Sequence, residues 1–232
     1  HLNKKSNQET GYSTDLIASA ASNFILKHSK EEEPFFCYVP FNSPHSPFQA
    51  PEKYIKKFQH LAGPNSKGKN KSLRQVVAAM VSCMDDGIGK ILKAIDTSGE
   101  ANNTIVWFFS DNGGIGGLQK NNLPLRGNKL DVWEGGVRVA AAIRWPNGGV
   151  QGGLKISVPL SCIDVCPTLI NVSGGDDISS GNKAFDGCDV LDILKGNFRN
   201  LNRELYFYHG QAGEAKEKIA IRTVKWKLVI HG

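Results

Sequence analysis

Cysteine is scarce in this sequence of 232 residues: Cys37, Cys83, Cys162, Cys166 and Cys188 are the five present, and they are scattered. That excludes a disulfide-stapled scaffold, and Cys162 with Cys166 lacks the second thiol pair that would complete a zinc site. Free, buried thiols are expected instead. No apolar run approaches the roughly 20 residues of a membrane-crossing helix, so no membrane span is expected. The sequence also has no G-x-S-x-G, no P-loop and no G-x-G-x-x-G, which weakens readings built on a nucleophile elbow or a nucleotide cradle. Methionine occurs twice, first at Met80, and the chain opens on His1. We therefore expect a fragment, in which the lack of a signal peptide carries no information.

Charge of one sign is not concentrated either. The formal net charge is +6, and the lysines are dispersed except in NSKGKNKS, Asn65 to Ser72. No aromatic residues interleave with that stretch, as single-stranded nucleic-acid binding would require. No nucleic-acid partner is expected, and an acidic substrate suits the charge better. Asn70, Asn102 and Asn171 each begin an N-x-S/T triplet, which decides nothing without the compartment. What is present is ordinary for a globular domain: 40% hydrophobic and 22% charged residues, at a length that can bury a real core.

Along the chain, STDLIASAASNFILKHS places Leu16, Ala20 and Phe24, and Ile17, Ala21 and Ile25, at helical spacing, with an N-cap candidate at Ser13 or Thr14. PFFCYVPF, Pro34 to Phe41, shows no alternation and predicts a buried strand. Leu73, Val76, Met80, Met84, Ile88, Ile91 and Ile95 mark a long helix, strained around Gly87 and Gly89. Thr104 to Phe109 is a second unalternating run, the pattern of a strand covered on both faces in a parallel sheet. VRVAAAIRWP predicts a further strand and SCIDVCPTLINVSG a short helix ending at Gly174. Helix and strand in alternation predict an α/β layer fold with a mostly parallel sheet. ELYFYH, KIAIRTV and WKLVI are closely spaced short strands, the pattern of antiparallel pairing. Two parts are therefore expected, an α/β part over 1–200 and a smaller antiparallel subdomain over 201–232.

The candidate chemistry lies where strands end. Asp111 and Asn112 follow the run at Thr104–Phe109; an Asn-Gly turn there signals a hairpin, yet the following IGGLQKNNLP has no strand pattern. In α/β sheets, ligands gather outside the carboxyl ends of the strands. Asp and Asn oxygens are hard donors for Ca²⁺, with Mg²⁺ possible. Lys129 and His45 can supply positive charge or a proton. Singly, each has a plain alternative: His45 caps a turn, Lys129 is a surface lysine, and Asp111 closes an Asx-turn. Their joint placement after strands, beside glycines that permit close backbone approach, favours a site.

FFCYVPFNSPHSPFQAPEKY, NTIVWFFSDNGG, LPLRGNKLDVWEGGVRV and WKLV together resemble the type I sulfatases, most closely the arylsulfatase B (N-acetylgalactosamine 4-sulfatase) group, of the alkaline-phosphatase-like superfamily. The resemblance covers nearly the whole chain. It implies an alkaline-phosphatase-like α/β fold, Asp111 and Asn112 as calcium ligands, and Lys129 in RGNK as the lysine that grips a sulfate oxygen. It further implies that His45 in PHSP stands near the scissile ester, donating a proton to the leaving alcohol or holding the sulfate, and that Glu134, Gly135, Gly136 and Arg138 are structural. The substrate class implied is a sulfated carbohydrate or aryl sulfate ester, and the compartment lysosomal, secreted or periplasmic. The family's nucleophile is a formylglycine made from the Cys or Ser of C/S-x-P-x-R, a motif absent here, as are the family's N-terminal paired aspartates and its early lysine and histidine. The expectation is a later half of a catalytic domain, inactive alone. Two rivals remain: a phosphoesterase of the same superfamily, and a pseudoenzyme that binds sulfated glycans.

Overall fold

The computed structural model describes residues 8–61, 72–118, 121–175, 184–198 and 201–231; the lysine-rich stretch apart from Ser72, and with it Asn70, lies outside them. Two compact units divide the chain, His1–Asn102 and Asn103–Gly232.

In the first unit, α1 (Ser13–His28), the short α2 (Glu52–Lys57) and α3 (Leu73–Ser98) form a helical assembly. Small side chains let α1 and α3 approach: Ala18 and Ala21 of α1 and Ala79 and Cys83 of α3 are buried. Gly87 explains its own place in α3, since a Cβ there would stand 3.2 Å from the Cβ of Ala18. Far from straining the helix, it lets the two backbones close up, and α3 runs unbroken through Gly87 and Gly89. Ser72 caps α3 by accepting from the backbone N–H of Gln75 at 3.1 Å, and Gly99 ends it in the left-handed conformation at φ 85°, as glycine does without penalty. The α1 cap falls one residue earlier than predicted, at Tyr12; Thr14 is buried instead. Tyr54 and Ile55 of α2 pack on Ala79 and Cys83.

Pro34–Phe41 is extended but is not a strand: it forms no ladder with any described residue. Phe36 is 73% and Tyr38 75% exposed, so the expected double burial is also absent. Without a neighbouring strand to satisfy its N–H and C=O groups, such a run stays a solvated extended segment.

In the second unit, β1 (Val106–Phe109) pairs with β2 (Ala141–Arg144), register Trp107 to Ile143, and β3 (Leu205–His209), β4 (Lys218–Arg222) and β5 (Lys227–His231) form a meander. Every ladder among the described residues is antiparallel, where a mostly parallel sheet is predicted. A parallel return needs a crossover that carries the chain back to the same end of the sheet. Among its described residues the segment between β1 and β2 instead holds one four-residue helix, α4 (Glu134–Val137), and doubles back on itself: Ser110 N–H bonds Ala140 O at 3.1 Å and Gly113 N–H bonds Gly136 O at 2.9 Å. Burial of β1 is one-sided. Trp107 and Ile143 pack against Val190, Ile193 and Leu194 around α6 (Leu191–Leu194), while Phe108 is 38% exposed. The predicted helix before Gly174 is present as α5 (Val165–Val172), preceded by a 3₁₀ turn. The predicted C-terminal strands are β3 to β5, and they lie inside this second unit.

A buried charge pair anchors this unit. Asp164 is fully buried and accepts from both terminal nitrogens of Arg203, at 2.5 and 2.6 Å, and from the backbone N–H of Ser161 at 2.7 Å and of Cys188 at 3.2 Å. The carboxylate holds the guanidinium above its ordinary pKa, chiefly through that hydrogen bonding. The five cysteines are free, but of them only Cys83 is buried; Cys162 and Cys166 are exposed.

Candidate active site

β1 ends at Phe109, and the chain then turns at Ser110, whose Oγ donates to Asn112 O at 3.1 Å. Asp111 is exposed and Asn112 half-buried. Their side-chain oxygens accept no hydrogen bond from any described residue, so both stay available to a ligand. The neighbouring glycines are there for backbone packing. A Cβ on Gly113 would lie 1.8 Å from Gly135 O, one on Gly135 2.2 Å from Gly127 O, and one on Gly136 2.1 Å from Asp131 O. DNGG and EGGV are thus two faces of one contact, in which the α4 turn presses directly on the turn that carries Asp111 and Asn112.

Lys129 comes back to the same place by backbone hydrogen bonding: its N–H bonds Gly114 O at 2.9 Å. Asn122 organises the intervening loop. Its Nδ2 donates to Gly114 O, Gly127 O and Asn128 Oδ1, each at 3.1 Å, and its Oδ1 accepts from Gly114 N–H at 3.0 Å. Asn112 and Lys129 thereby line one hollow of ≈ 240 Å³, together with Asp131, Val137 and residues of β3. The Lys129 ammonium forms no ion pair with a described residue, so a half-buried, uncompensated cation borders the hollow, an arrangement that favours an anion. Asp111 is not among the residues lining the hollow; it sits at the adjacent, exposed turn position.

His45 belongs to the first unit. It follows buried Ser43, whose Oγ donates to Met80 O at 3.2 Å and so ties the loop to α3. The His45 N–H bonds Asn42 O at 2.9 Å, and its Nδ1 lies 2.9 Å from Ser46 O and 3.3 Å from Ser46 Oγ. Both contacts use Nδ1, so Nε2 of the exposed ring has no partner among the described residues.

Asp111 and Asn112 fit calcium in kind, being hard oxygen donors with no competing partner among the described residues. In number they fall short of the six to eight oxygens that Ca²⁺ takes, and no cluster of three or more His, Cys, Asp or Glu is found among the described residues.

Sequence reasoning missed four participants. Asn122, Asp131, Lys218 and His209 gave no motif signal: Asn122 acts within its own loop, and the other three come together only as the chain folds. Lys218 Nζ reaches Asp131 Oδ1 at 2.6 Å and Leu130 O at 3.1 Å, fastening β4 to the residues after Lys129. Glu134, read as structural from the resemblance, receives Lys227 Nζ at 2.9 Å, with Arg222 Nε at 3.8 Å. Arg126 stacks on Trp133, its guanidinium carbon 3.9 Å from a ring centroid.

Residues 2–175 match the family model described as Sulfatase. The chain is 30% identical over 215 residues to steryl-sulfatase of Rattus norvegicus, covering 88% of this chain and 34% of that protein. To arylsulfatase H of Homo sapiens it is 31% identical over 221 residues, 91% of this chain and 34% of that one. Among solved structures, Ps i-CgsB in complex with k-i-k-neocarrahexaose superposes at a TM-score of 0.85 with 32% identity, over 98% of this chain and 48% of that one. The chain spans about a third of the length of these curated relatives.

Proposed function

The chain belongs to the sulfatase family, and from that premise we propose that the protein carrying it hydrolyses sulfate esters, on a sulfated carbohydrate or an aryl sulfate. Its fold is the α/β fold of the sulfatases. The observation that carries the functional reading is the shared hollow of Asn112 and Lys129 at the end of β1. A carbohydrate substrate is favoured by the likeness to Ps i-CgsB, which was solved with a neocarrahexaose.

The chemistry assigned to these residues is electrostatic. Hydrolysis of a sulfate ester builds negative charge on the departing alcohol oxygen and retains it on the sulfuryl oxygens. Lys129 grips a sulfuryl oxygen and needs no reorganisation to do so, because the loop around Asn122 holds its backbone in place. Asp111 and Asn112 would hold Ca²⁺, with Mg²⁺ possible; when bound, the ion offsets negative charge on the sulfate. His45 donates a proton to the leaving alcohol from Nε2, the ring nitrogen that is not turned to Ser46. Because the sequence lacks C/S-x-P-x-R, we assign the formylglycine nucleophile and the remaining calcium ligands to residues outside these 232. These 232 residues alone are not expected to turn over substrate.

The test is release of inorganic sulfate from nitrophenyl sulfate by the complete polypeptide, beside release of phosphate from nitrophenyl phosphate. Sulfate release in clear excess supports the proposal. A preference for phosphate makes the protein a phosphoesterase of the same superfamily, and binding of sulfated glycan with no release of either makes it a pseudoenzyme.

A further inference from the structure

We propose that His209, at the end of β3, is a specificity-determining residue of this site, hydrogen-bonding the sugar that bears the sulfate held by Lys129. The inference rests on the sulfatase reading above.

Three observations converge on it. The first is phase. Along β3 burial alternates: Leu205 is buried, Tyr206 and Tyr208 are 68% and 54% exposed, and Phe207 and His209 are half-buried. Side chains of a strand alternate between its faces, so His209 shares the inward face with Leu205 and Phe207. The second is placement: the end of β3 borders the hollow, with Phe207, Tyr208 and His209 among its lining residues together with Asn112 and Lys129. The third is vacancy in the bonding sense. No described residue makes a hydrogen bond or ion pair with the His209 ring, although a polar group on an inward face is ordinarily satisfied.

The strand end is also held firmly enough to select a ligand. His209 pairs in register with Lys218, and Lys218 is the residue that bonds Leu130 O and Asp131 Oδ1, one and two positions after Lys129. Phe207, two residues earlier, lies under the Lys227 ammonium at 5.2 Å, and Lys227 is paired with Glu134 of α4. Through β4 and β5 the sheet that contains β3 is therefore tied to residues 130–134, just after Lys129. An imidazole with a free donor or acceptor, a tyrosine at the rim and a cation within one small hollow match the chemistry of a sulfated sugar: hydroxyls for the ring nitrogen, an apolar ring face for Tyr208, and the anionic group for Lys129. An aryl sulfate offers the anion but no hydroxyls.

The experiment compares His209→Ala, His209→Gln and the unaltered complete polypeptide on two substrates, a sulfated carrageenan-type hexaose and nitrophenyl sulfate, with titration calorimetry of the same hexaose. Loss of one well-placed hydrogen bond corresponds to about a tenfold change. His209→Ala should raise KM and Kd for the hexaose about tenfold, with kcat little changed, and leave KM for nitrophenyl sulfate within about twofold. His209→Gln, which keeps a hydrogen-bonding head, should recover part of the loss. Equal effects on both substrates, no effect on either, or no recovery by glutamine would overturn the assignment. If the unaltered protein hydrolyses neither substrate, the sulfatase reading fails; the calorimetric comparison still judges His209, because hexaose binding insensitive to it, or absent, overturns this proposal too.

Discussion

Lys218 and Asp131, 87 residues apart in sequence, meet at 2.6 Å, each with only about a fifth of its side chain exposed. This contact joins the C-terminal meander to the loop that delivers Lys129. Lys218→Met keeps the aliphatic stem and removes the charge, so it tests the tether alone. Partial exposure limits its worth to roughly 1 kcal/mol, read as a small fall in the denaturant midpoint. The larger expected effect is on substrate, a rise in KM of about threefold to tenfold on a sulfated oligosaccharide as β3 loosens. Unchanged KM would mean that the meander does not depend on this tether.

The Asp164–Arg203 pair predicts a strong stability effect away from the site. Removing one partner leaves an uncompensated buried charge, which costs about 3–5 kcal/mol. Arg203→Met should therefore unfold the second unit well before the first in a denaturant titration, and Arg203→Met combined with Asp164→Leu should recover much of the loss. Equal destabilisation by the single and double variants would show that the ion pair is not what Asp164 contributes.

Tyr54 makes alkaline stability testable. Burial, and then its 2.8 Å hydrogen bond to Asp86 Oδ2, push its phenol above the ordinary value of 10.0. The folded state thus holds this proton more tightly than the unfolded chain. The contribution is fully present below about pH 10, the ordinary tyrosine value, and is lost as pH rises through the higher folded value. Denaturant midpoints measured from pH 8 upward should fall beyond about pH 10, and Tyr54→Phe should show a shallower fall. Identical slopes would remove Tyr54 from the account.

His45 as a proton donor matters most where the leaving group is poor. A nitrophenolate departs unaided, whereas a sugar alkoxide needs a proton, and general acid catalysis contributes about 10²–10⁴-fold. His45→Ala should cost a sulfated sugar at least tenfold more in kcat than nitrophenyl sulfate. Equal losses would leave His45 as a binding residue.

The candidate residues Asp111, Asn112, Lys129 and His45 stand out in the sequence because each sits in a short motif, and of these the structure brings Asn112 and Lys129 to one hollow; the helices α1 and α3 announced themselves by period. What stayed hidden depends on who pairs with whom. An unalternating run such as Pro34–Phe41 is compatible with a covered strand or with an unpaired extended segment, and only a neighbour decides. The antiparallel return of β2 likewise follows from backbone contacts among Gly113, Gly127, Gly135 and Gly136, which letters alone read as turns. His209 was invisible for the same reason: β3 was recognised, but not that its end borders the same hollow as Lys129.

The division of labour between Asp111 and Lys129 is the central claim, and calcium binding tests it most directly. Calorimetric titration of the complete polypeptide with Ca²⁺ is predicted to show affinity at least about tenfold weaker in Asp111→Ala, which loses a charged oxygen ligand. Lys129→Ala is predicted to bind calcium as tightly as the unaltered protein while hydrolysing nitrophenyl sulfate about 10²–10³ times more slowly, the usual cost of removing one group that stabilises developing charge. Release of calcium by both variants alike, or by neither, would contradict the assignment.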